Sequence, residues 1–525
     1  MSLPNFNHSF LPVLTEAFAT HAQKPCVSFQ GTALTYADIG ERSCRVANQL
    51  IEQGFRRGMK AAVYSLNSAE SFIATLGIIR AGGTWIPVNP RNSGKDNQHI
   101  LRQFGCDALF YQSRFQDTIS QFIDENPVGI VVSFDQARAG HDLFDAWLAN
   151  ARTRVPAVQT AATDLITIPQ TGGTTGLPKG VKLSNRNFCA LSYGLQARNK
   201  GRTPRHLIAA PMTHAAGRGA VCGLASGIAM VILDGADPQT ILKIIEAERI
   251  TDMFLPPTGI YALLDQPNIA EFDLSSLKYV SYGSAPMSTV RLKDALRTFG
   301  PVMLGGFGQT ECPLFISRLE PEEHFAKNDT RGEFASDERL RSVGRATILS
   351  ELGIVDEDGR ELPARELGEI AVKGPMVSEG YYANAEETAK IRVNGWHLTG
   401  DIGYLDEDGF LYIVDRKKDM IITGGFNVYS TEVEHSLMNQ DGVQLAAVVG
   451  LPDERWGEAV TAYVVLDEGS LLTAEDVIKT AKADIGGVKA PKQIIFREEL
   501  PRTPVGKIDK KRLRDAAWAG EVRKI

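Results

Sequence analysis

Six cysteines in 525 residues, Cys26, Cys44, Cys106, Cys189, Cys222 and Cys312, include no C-x-x-C pair, and none lies beyond position 312. Neither a disulfide framework nor a zinc site is indicated, and a reducing cytoplasm is the expected compartment. Positive charge is also short, 56 Lys and Arg against 63 Asp and Glu, for a net charge of -7. Without a basic stripe to offset that total, nucleic-acid binding is not expected. Long apolar runs are missing too. The longest uncharged one, Gly219 to Leu233, is shorter than the ~20 residues of a membrane span, and the N-terminus has no basic region followed by an apolar stretch. That run reads as a buried helix followed by a strand. Internal repeats and low-complexity segments are absent. With 43% hydrophobic residues, a chain of this length buries more than one sizeable core, which describes a soluble, multidomain, enzyme-sized protein.

Between Ala61 and Leu304, short apolar runs (ITIP, HLIAAP, AMVILD, ITDMFLPP, LKYVSYG, VMLGG) alternate with amphipathic helices such as Pro238 to Arg249, whose Ile241, Leu242 and Ile245 share one face. The alternation predicts a layered α/β domain with a largely parallel sheet. From about Arg341 the texture changes. Two D-E-D-G turns, Asp356 to Gly359 and Asp406 to Gly409, each lie between apolar runs and predict hairpins. Beyond Asp415 comes the charged joint DRKKD, and helix and strand signals then repeat on a smaller scale. The expected architecture is a large α/β domain, residues 1–415, with mostly parallel sheets and a β-rich subdomain, followed by a small mobile α+β domain, residues 416–525.

QTGGTTGLPKGVKLSNRN, from Gln170 to Asn187, holds four glycines, three threonines and two lysines. Bare backbone lets amide groups approach a ligand closely, threonine adds hydroxyl donors and lysine adds charge, which together suit a polyanion. It is not a G-x-x-x-x-G-K-[ST] loop, because Pro178 precedes Lys179 and no Ser or Thr follows. The alternating Val181, Lys182 and Leu183, and the helix cap at Ser184, place it as a turn between strands. Four more stretches carry polar residues that a fold alone does not require: GGFGQTE at 305–311, TGD at 399–401, DRKKDMIITGGFNVYSTEVE at 415–434 and PRTPVGKIDK at 501–510. Singly, each also suits a turn, a linker or a solvated surface.

In this order, together with YGSAPM at 282–287, these stretches resemble the adenylate-forming superfamily of acyl-CoA synthetases, peptide-synthetase adenylation domains and firefly luciferase, over nearly the whole chain. The resemblance implies ATP-dependent activation of a carboxylic acid as an acyl-adenylate, with Mg²⁺, followed by transfer to a thiol, as in fatty acid metabolism. It implies roles residue by residue. Thr171, Gly172, Gly173, Thr174, Thr175, Gly176 and Lys179 would cradle the β- and γ-phosphates. Gly283, Ser284 and Ala285 would face adenine together with Gly305, Gly306 and Phe307, on the segment that continues through Gly308 and Gln309. Thr310 would contact the α-phosphate, Glu311 would hold Mg²⁺, Asp401 and Arg416 would hold the ribose, and Lys507 would be the catalytic cation. Lys418 would be the hinge. Gly173 and Phe307 stand where the family often has Ser and Tyr, which removes two hydroxyls but no charge.

GGFNVYSTEVE is similar to the acyl-CoA synthetase form of its segment, in which Gly424, Gly425 and Phe426 would border the pantetheine arm, so CoA is the expected acceptor. A carrier protein is the second choice, and a catalytically silent binding protein of this fold the third. The expected acyl pocket takes His214, Ala215, Gly217, Arg218, Tyr261 and Tyr282, with His214 also next to the chemistry. The small residues at 215–217 favour a large apolar acid, aromatic or medium to long chain. Arg218 directed inward would pair a second carboxylate or polar tail. The rarity of buried unpaired arginine favours an outward or backbone-bonded side chain instead. Monomer and homodimer are both compatible with the sequence.

Overall fold

The computed structural model describes residues 3–171, 179–235, 237–314, 316–330, 332–503 and 508–515. Two sheets form the large domain. One has seven strands and includes Lys60–Tyr64, Thr84–Val88 and Ala108–Tyr111, paired parallel. The other has nine, of which Pro25–Phe29, Ala229–Ile232, Arg205–Ile208, Asp252–Leu255, Tyr279–Gly283 and Met303–Phe307 run parallel, side by side in that order. The expected mostly parallel α/β architecture is what the chain adopts. Its longest uncharged run is, as read, a helix at Ala215–Gly223 followed by the strand Ala229–Ile232.

Local signals start the helices. Ser184 N donates to Asn187 Oδ1 at 2.9 Å ahead of the helix Asn185–Asn199. The Asp237 carboxylate accepts from Thr240 N at 2.8 Å ahead of Pro238–Ala247. Each cap satisfies donors that the first turn leaves open. Along the nine-stranded sheet, side chains alternate between two cores. Leu207, Met253, Val280, Tyr282 and Met303 pack in one cluster, whereas Ile208, Ala220, Val221 and Cys222 belong to the other. Because Leu207 and Ile208 are neighbours on one strand, the two clusters lie on opposite faces of the sheet.

The strand Arg205–Ile208 has Ala229–Ile232 on one side and Asp252–Leu255 on the other. The chain therefore reverses direction across the sheet here, and a crevice opens above the carboxyl ends of these strands. Asn67 locks the segment leaving that point. Its amide donates to the carbonyls of Ala210 and Leu233, both at 3.0 Å, and its Oδ1 accepts from Met212 N at 2.8 Å.

A five-stranded antiparallel sheet follows, with Gly368–Lys373, Trp396–Leu405 and Leu411–Arg416 among its strands. The D-E-D-G turn at Asp406 closes the hairpin of the last two, as expected, and the register sets Asp401 opposite Arg416. After a turn at Lys417–Asp419, Ile421–Thr423 starts a separate five-stranded sheet built on Val443–Asp453 and Gly457–Leu466. Asp415 spans the joint: its carboxylate accepts from Ser430 N, from Ser430 Oγ at 3.1 Å and from Thr431 Oγ1 at 3.4 Å, at the start of the helix Ser430–Met438.

Three histidines tie stability to pH. Burial holds the imidazoles of His324, His397 and His435 at about 4, about 3 and about 4. The His324 ring is also held in place, with Nδ1 3.0 Å from Glu320 O and Nε2 2.9 Å from the Tyr282 hydroxyl. Between pH 6.5 and 4 the unfolded chain binds more protons on these groups than the folded one, so their contribution is complete above about 6.5 and is lost as pH falls. Asp415 and Glu434, whose carboxyls burial shifts upward, act in the opposite sense. His21, His141 and His206, whose imidazoles burial also lowers, act on the same side as the first three, so the histidines outweigh the two carboxyls. The melting temperature is expected to drop on going from pH 7 to 5; a flat profile over that range would refute this.

Candidate active site

The strands Tyr279–Gly283 and Met303–Phe307 end together at the crevice, with Gly283 level with Gly306. A Cβ on Gly283 would lie 2.4 Å from Gly306 O, so only glycine lets the two strand ends run this close. Ser284 turns out of the strand at φ +65 and, with Ala285, is exposed. Gly283, Ser284, Ala285, Gly305, Gly306 and Phe307 thus form one shelf. The segment continues through the exposed Gly308 to Gln309, whose amide donates to Thr399 O at 2.7 Å and to Asp401 Oδ2 at 3.0 Å. Asp401 is 7% exposed, and Arg416 Nε stands 3.6 Å from its other oxygen. One side chain therefore ties GGFGQTE to TGD, and the hairpin register supplies the arginine.

Thr310 and Glu311 follow at half-buried positions. The Glu311 carboxylate accepts from the Tyr381 hydroxyl at 2.8 Å. Lys179 Nζ lies 5.2 Å from the centroid of the Tyr381 ring and is ion-paired with Glu387. That pairing lowers the Glu387 carboxyl to about 2. Lys179 also pairs with Thr171 across a two-residue antiparallel ladder, so the ends of the glycine loop form the expected strand pair. Gly172, Gly173, Thr174, Thr175 and Gly176 lie outside the described residues, as does Lys507. Tyr381 and Glu387 were not among the expected site residues. They lie in a stretch, GYYANAEETAK, that contains nothing unusual by composition.

The helix Ala215–Gly223 flanks the crevice on the face of the sheet opposite Tyr282. Three expectations change here. Tyr282 and Tyr261 are engaged on the other face of the sheet: Tyr282 falls in the alternation with Val280 and bonds His324, while Tyr261 takes the Ser288 N–H at 2.8 Å. Gly217 is small because a Cβ there would sit 1.8 Å from the carbonyl oxygen of Met212, not in order to leave room for an acyl chain. Gly217→Ala is accordingly expected to cost about 3 kcal/mol by forcing the helix off that carbonyl; an unchanged melting temperature would contradict this. Arg218 is not outward. It is 4% exposed, and Nε and Nη1 have no hydrogen-bond partner among the described residues. Burial lowers its guanidinium to about 10, against the opposing pull of Cys222 and Glu311. His214 and Ala215, at the start of the helix, are half-buried.

In the small domain, Gly424 and Gly425 form the two-residue turn of the hairpin that pairs Thr423 with Phe426, at φ +57 and +82. Among the described residues nothing lies within 4 Å of a Cβ on Gly425, and Phe426 is 60% exposed. Lys418 sits in the turn between the two sheets.

Comparison with known proteins identifies the family. The chain matches the AMP-binding enzyme family over residues 14–382 and the AMP-binding enzyme C-terminal domain over 432–507. It is 34% identical to the medium/long-chain-fatty-acid–CoA ligase FadD8 of Mycobacterium tuberculosis, over 98% of this chain and 91% of that protein. It is 32% identical to a feruloyl-CoA synthase of an Amycolatopsis species, over 96% and 97% of the two chains. Among solved structures, the amide bond synthetase McbA of Marinactinospora thermotolerans is similar, with a TM-score of 0.87 and 29% identity over 96% and 99% of the two chains. The chain belongs to the AMP-binding enzyme family, in the acyl-CoA synthetase branch of the adenylate-forming superfamily.

Proposed function

We infer that this protein is an ATP-dependent acid–CoA ligase that joins a large, mainly apolar carboxylic acid to CoA and releases AMP and pyrophosphate. The observation that carries the reading is the Gln309 bridge, which holds the GGFGQTE segment against Asp401. It places a carboxylate suited to a ribose diol beside a shelf suited to a purine. FadD8 and the feruloyl-CoA synthase, which match nearly the whole chain at 34% and 32% identity, are CoA ligases by name, whereas the 30% identical ScoC of Streptomyces coeruleorubidus is named a fatty acid–[acyl-carrier-protein] ligase.

A thiol cannot displace oxide from a carboxylate, so the acid must first gain a leaving group. Its oxygen attacks the α-phosphorus of ATP, pyrophosphate departs, and the thiol of CoA then attacks the acyl carbon and releases AMP. The protein positions the reactants and neutralises charge. Lys179, beside Tyr381, would take the outer phosphates, Thr310 the α-phosphate, Asp401 and Arg416 the ribose, and Lys507 the charge that builds up at the reacting oxygens. Glu311 fits a Mg²⁺ role: it brings one carboxylate with a single hydrogen bond from Tyr381, and no cluster of three ligating side chains occurs among the described residues. Mg²⁺ commonly takes one or two carboxylates and completes its shell with phosphate and water, and it would screen the phosphate charge there. Lys418 would be the hinge on which residues 416–525 turn, exchanging Lys507 for the open face of Gly425. Phe426 and Gly424 would border the CoA arm.

The test is the product set. ATP, Mg²⁺, CoA and a panel of acids should yield AMP, pyrophosphate and an acyl-CoA. AMP formation only with a carrier protein in place of CoA would reassign the acceptor, and failure of every acid in the panel to support AMP formation would end the enzyme reading.

A further inference from the structure

Arg218 has no task in the reaction above, yet it occupies an expensive position. It is 4% exposed on the helix that follows His214, and two of its guanidinium nitrogens find no acceptor among the described residues. A buried cation ordinarily persists only when paired or hydrogen-bonded. The charged group that acts on it is Glu311, while the Cys222 thiol, one turn along the same helix, is kept protonated by burial. Glu311 is already engaged by Tyr381, and in the proposed reaction a metal ion would claim its charge, leaving Arg218 with still less. An oxygen acceptor on a ligand would supply the missing partner. The adenosine shelf is built on Gly283–Ala285, Gly305–Phe307 and Asp401, and the phosphate side on Lys179, Tyr381 and Glu311, which leaves the acyl group to lie along the helix of His214 and Arg218. Next to Arg218, a Cβ on Gly219 would meet, among the described residues, only Leu314 at 4.0 Å.

We propose that Arg218 reads a second oxygen acceptor on the acid, so that the preferred substrates carry a carboxylate or carbonyl group remote from the carboxylate that is activated. This rests on the acid-ligase reading and narrows its substrate class from plain apolar acids to apolar acids with one such group.

The test uses the full chain and three series of matched length between eight and twelve carbons: alkyl monocarboxylates, keto acids with the carbonyl near the far end, and α,ω-dicarboxylates. Affinity is measured by calorimetry with an ATP analogue carrying a methylene between the α- and β-phosphorus atoms, and AMP release is followed separately with ATP. The best dicarboxylate or keto acid should bind roughly 10–100-fold more tightly than the matching alkyl acid, the worth of a hydrogen bond to a charged group. Arg218→Met should bring that ratio to within roughly threefold. Wild-type protein that binds alkyl acids as well as the others would overturn the proposal without reference to any variant. So would an Arg218→Met protein that loses all acids alike, because Arg218 would then serve the helix or Glu311. Acid-dependent AMP release with a flat ranking would sink the Arg218 inference alone. An Arg218-dependent ranking without AMP release from any acid would uphold it and sink the ligase reading.

Discussion

Replacing Lys507 by alanine is expected to lower acyl-adenylate formation by about 10² to 10³, while conversion of a chemically prepared acyl-adenylate with CoA stays within about tenfold of wild type. The two half-reactions make opposite demands. Adenylation needs a cation at a crowded phosphate, whereas thioester formation needs that space cleared for a thiol. One preorganised charge in a transition state is worth about 3–4 kcal/mol, which sets the size of the first loss. Lys507 itself lies outside the described residues, but its flanks belong to the small domain: Arg502 bridges Ile508, and Lys510 is held by Glu434 and Ser430, both at 2.7 Å. A turn of that domain about Lys418 would carry the lysine away before CoA attacks. Equal losses in both half-reactions would mean that the lysine stays in place throughout, and the exchange of faces would have to be abandoned.

Asp401→Ala is expected to raise the KM for ATP and to lower kcat/KM for ATP by about 10² or more, with the KM for the acid changed only a few-fold. The carboxylate is 7% exposed and holds Gln309 and Arg416 on its two oxygens. Hydrogen bonds to a charged group are worth about 1.5–3 kcal/mol each, and the ribose diol offers two. Asp401→Asn, which keeps an acceptor for Gln309, should fall between alanine and wild type. An unchanged KM for ATP in the alanine variant would remove Asp401 from the nucleotide site.

The chemistry-bearing segments could be read in the sequence because each is local: a glycine pair, a short acidic motif, a charged joint. The parallel sheet was legible for the same reason, since strands and helices alternate at short range. What escaped depends on contacts between distant segments. Tyr381 and Glu387 would join the proposed site only because Glu311 and Lys179 reach them across 70 and 208 positions. The face of Tyr282 was open to reading, because Val280 and Tyr282 alternate with Ser281 on one strand, but which face looks into the crevice depends on what packs against the sheet. Gly217 looked like a means of making space, and the Met212 carbonyl that demands it lies five residues earlier in a turn that no periodicity signals. Arg218 went the other way: the general cost of burying arginine pointed outward, and the fold buries it regardless.

The most direct test of the two-step account is the fate of the substrate's own oxygen. With a carboxylate labelled with heavy oxygen at both positions, one turnover in the presence of ATP and CoA should leave one labelled oxygen in AMP and the other in the thioester carbonyl, because the carboxylate oxygen that attacks phosphorus departs with it. Label recovered in inorganic phosphate, with ADP as the nucleotide product, would instead mean activation through an acyl phosphate and would contradict the adenylate mechanism.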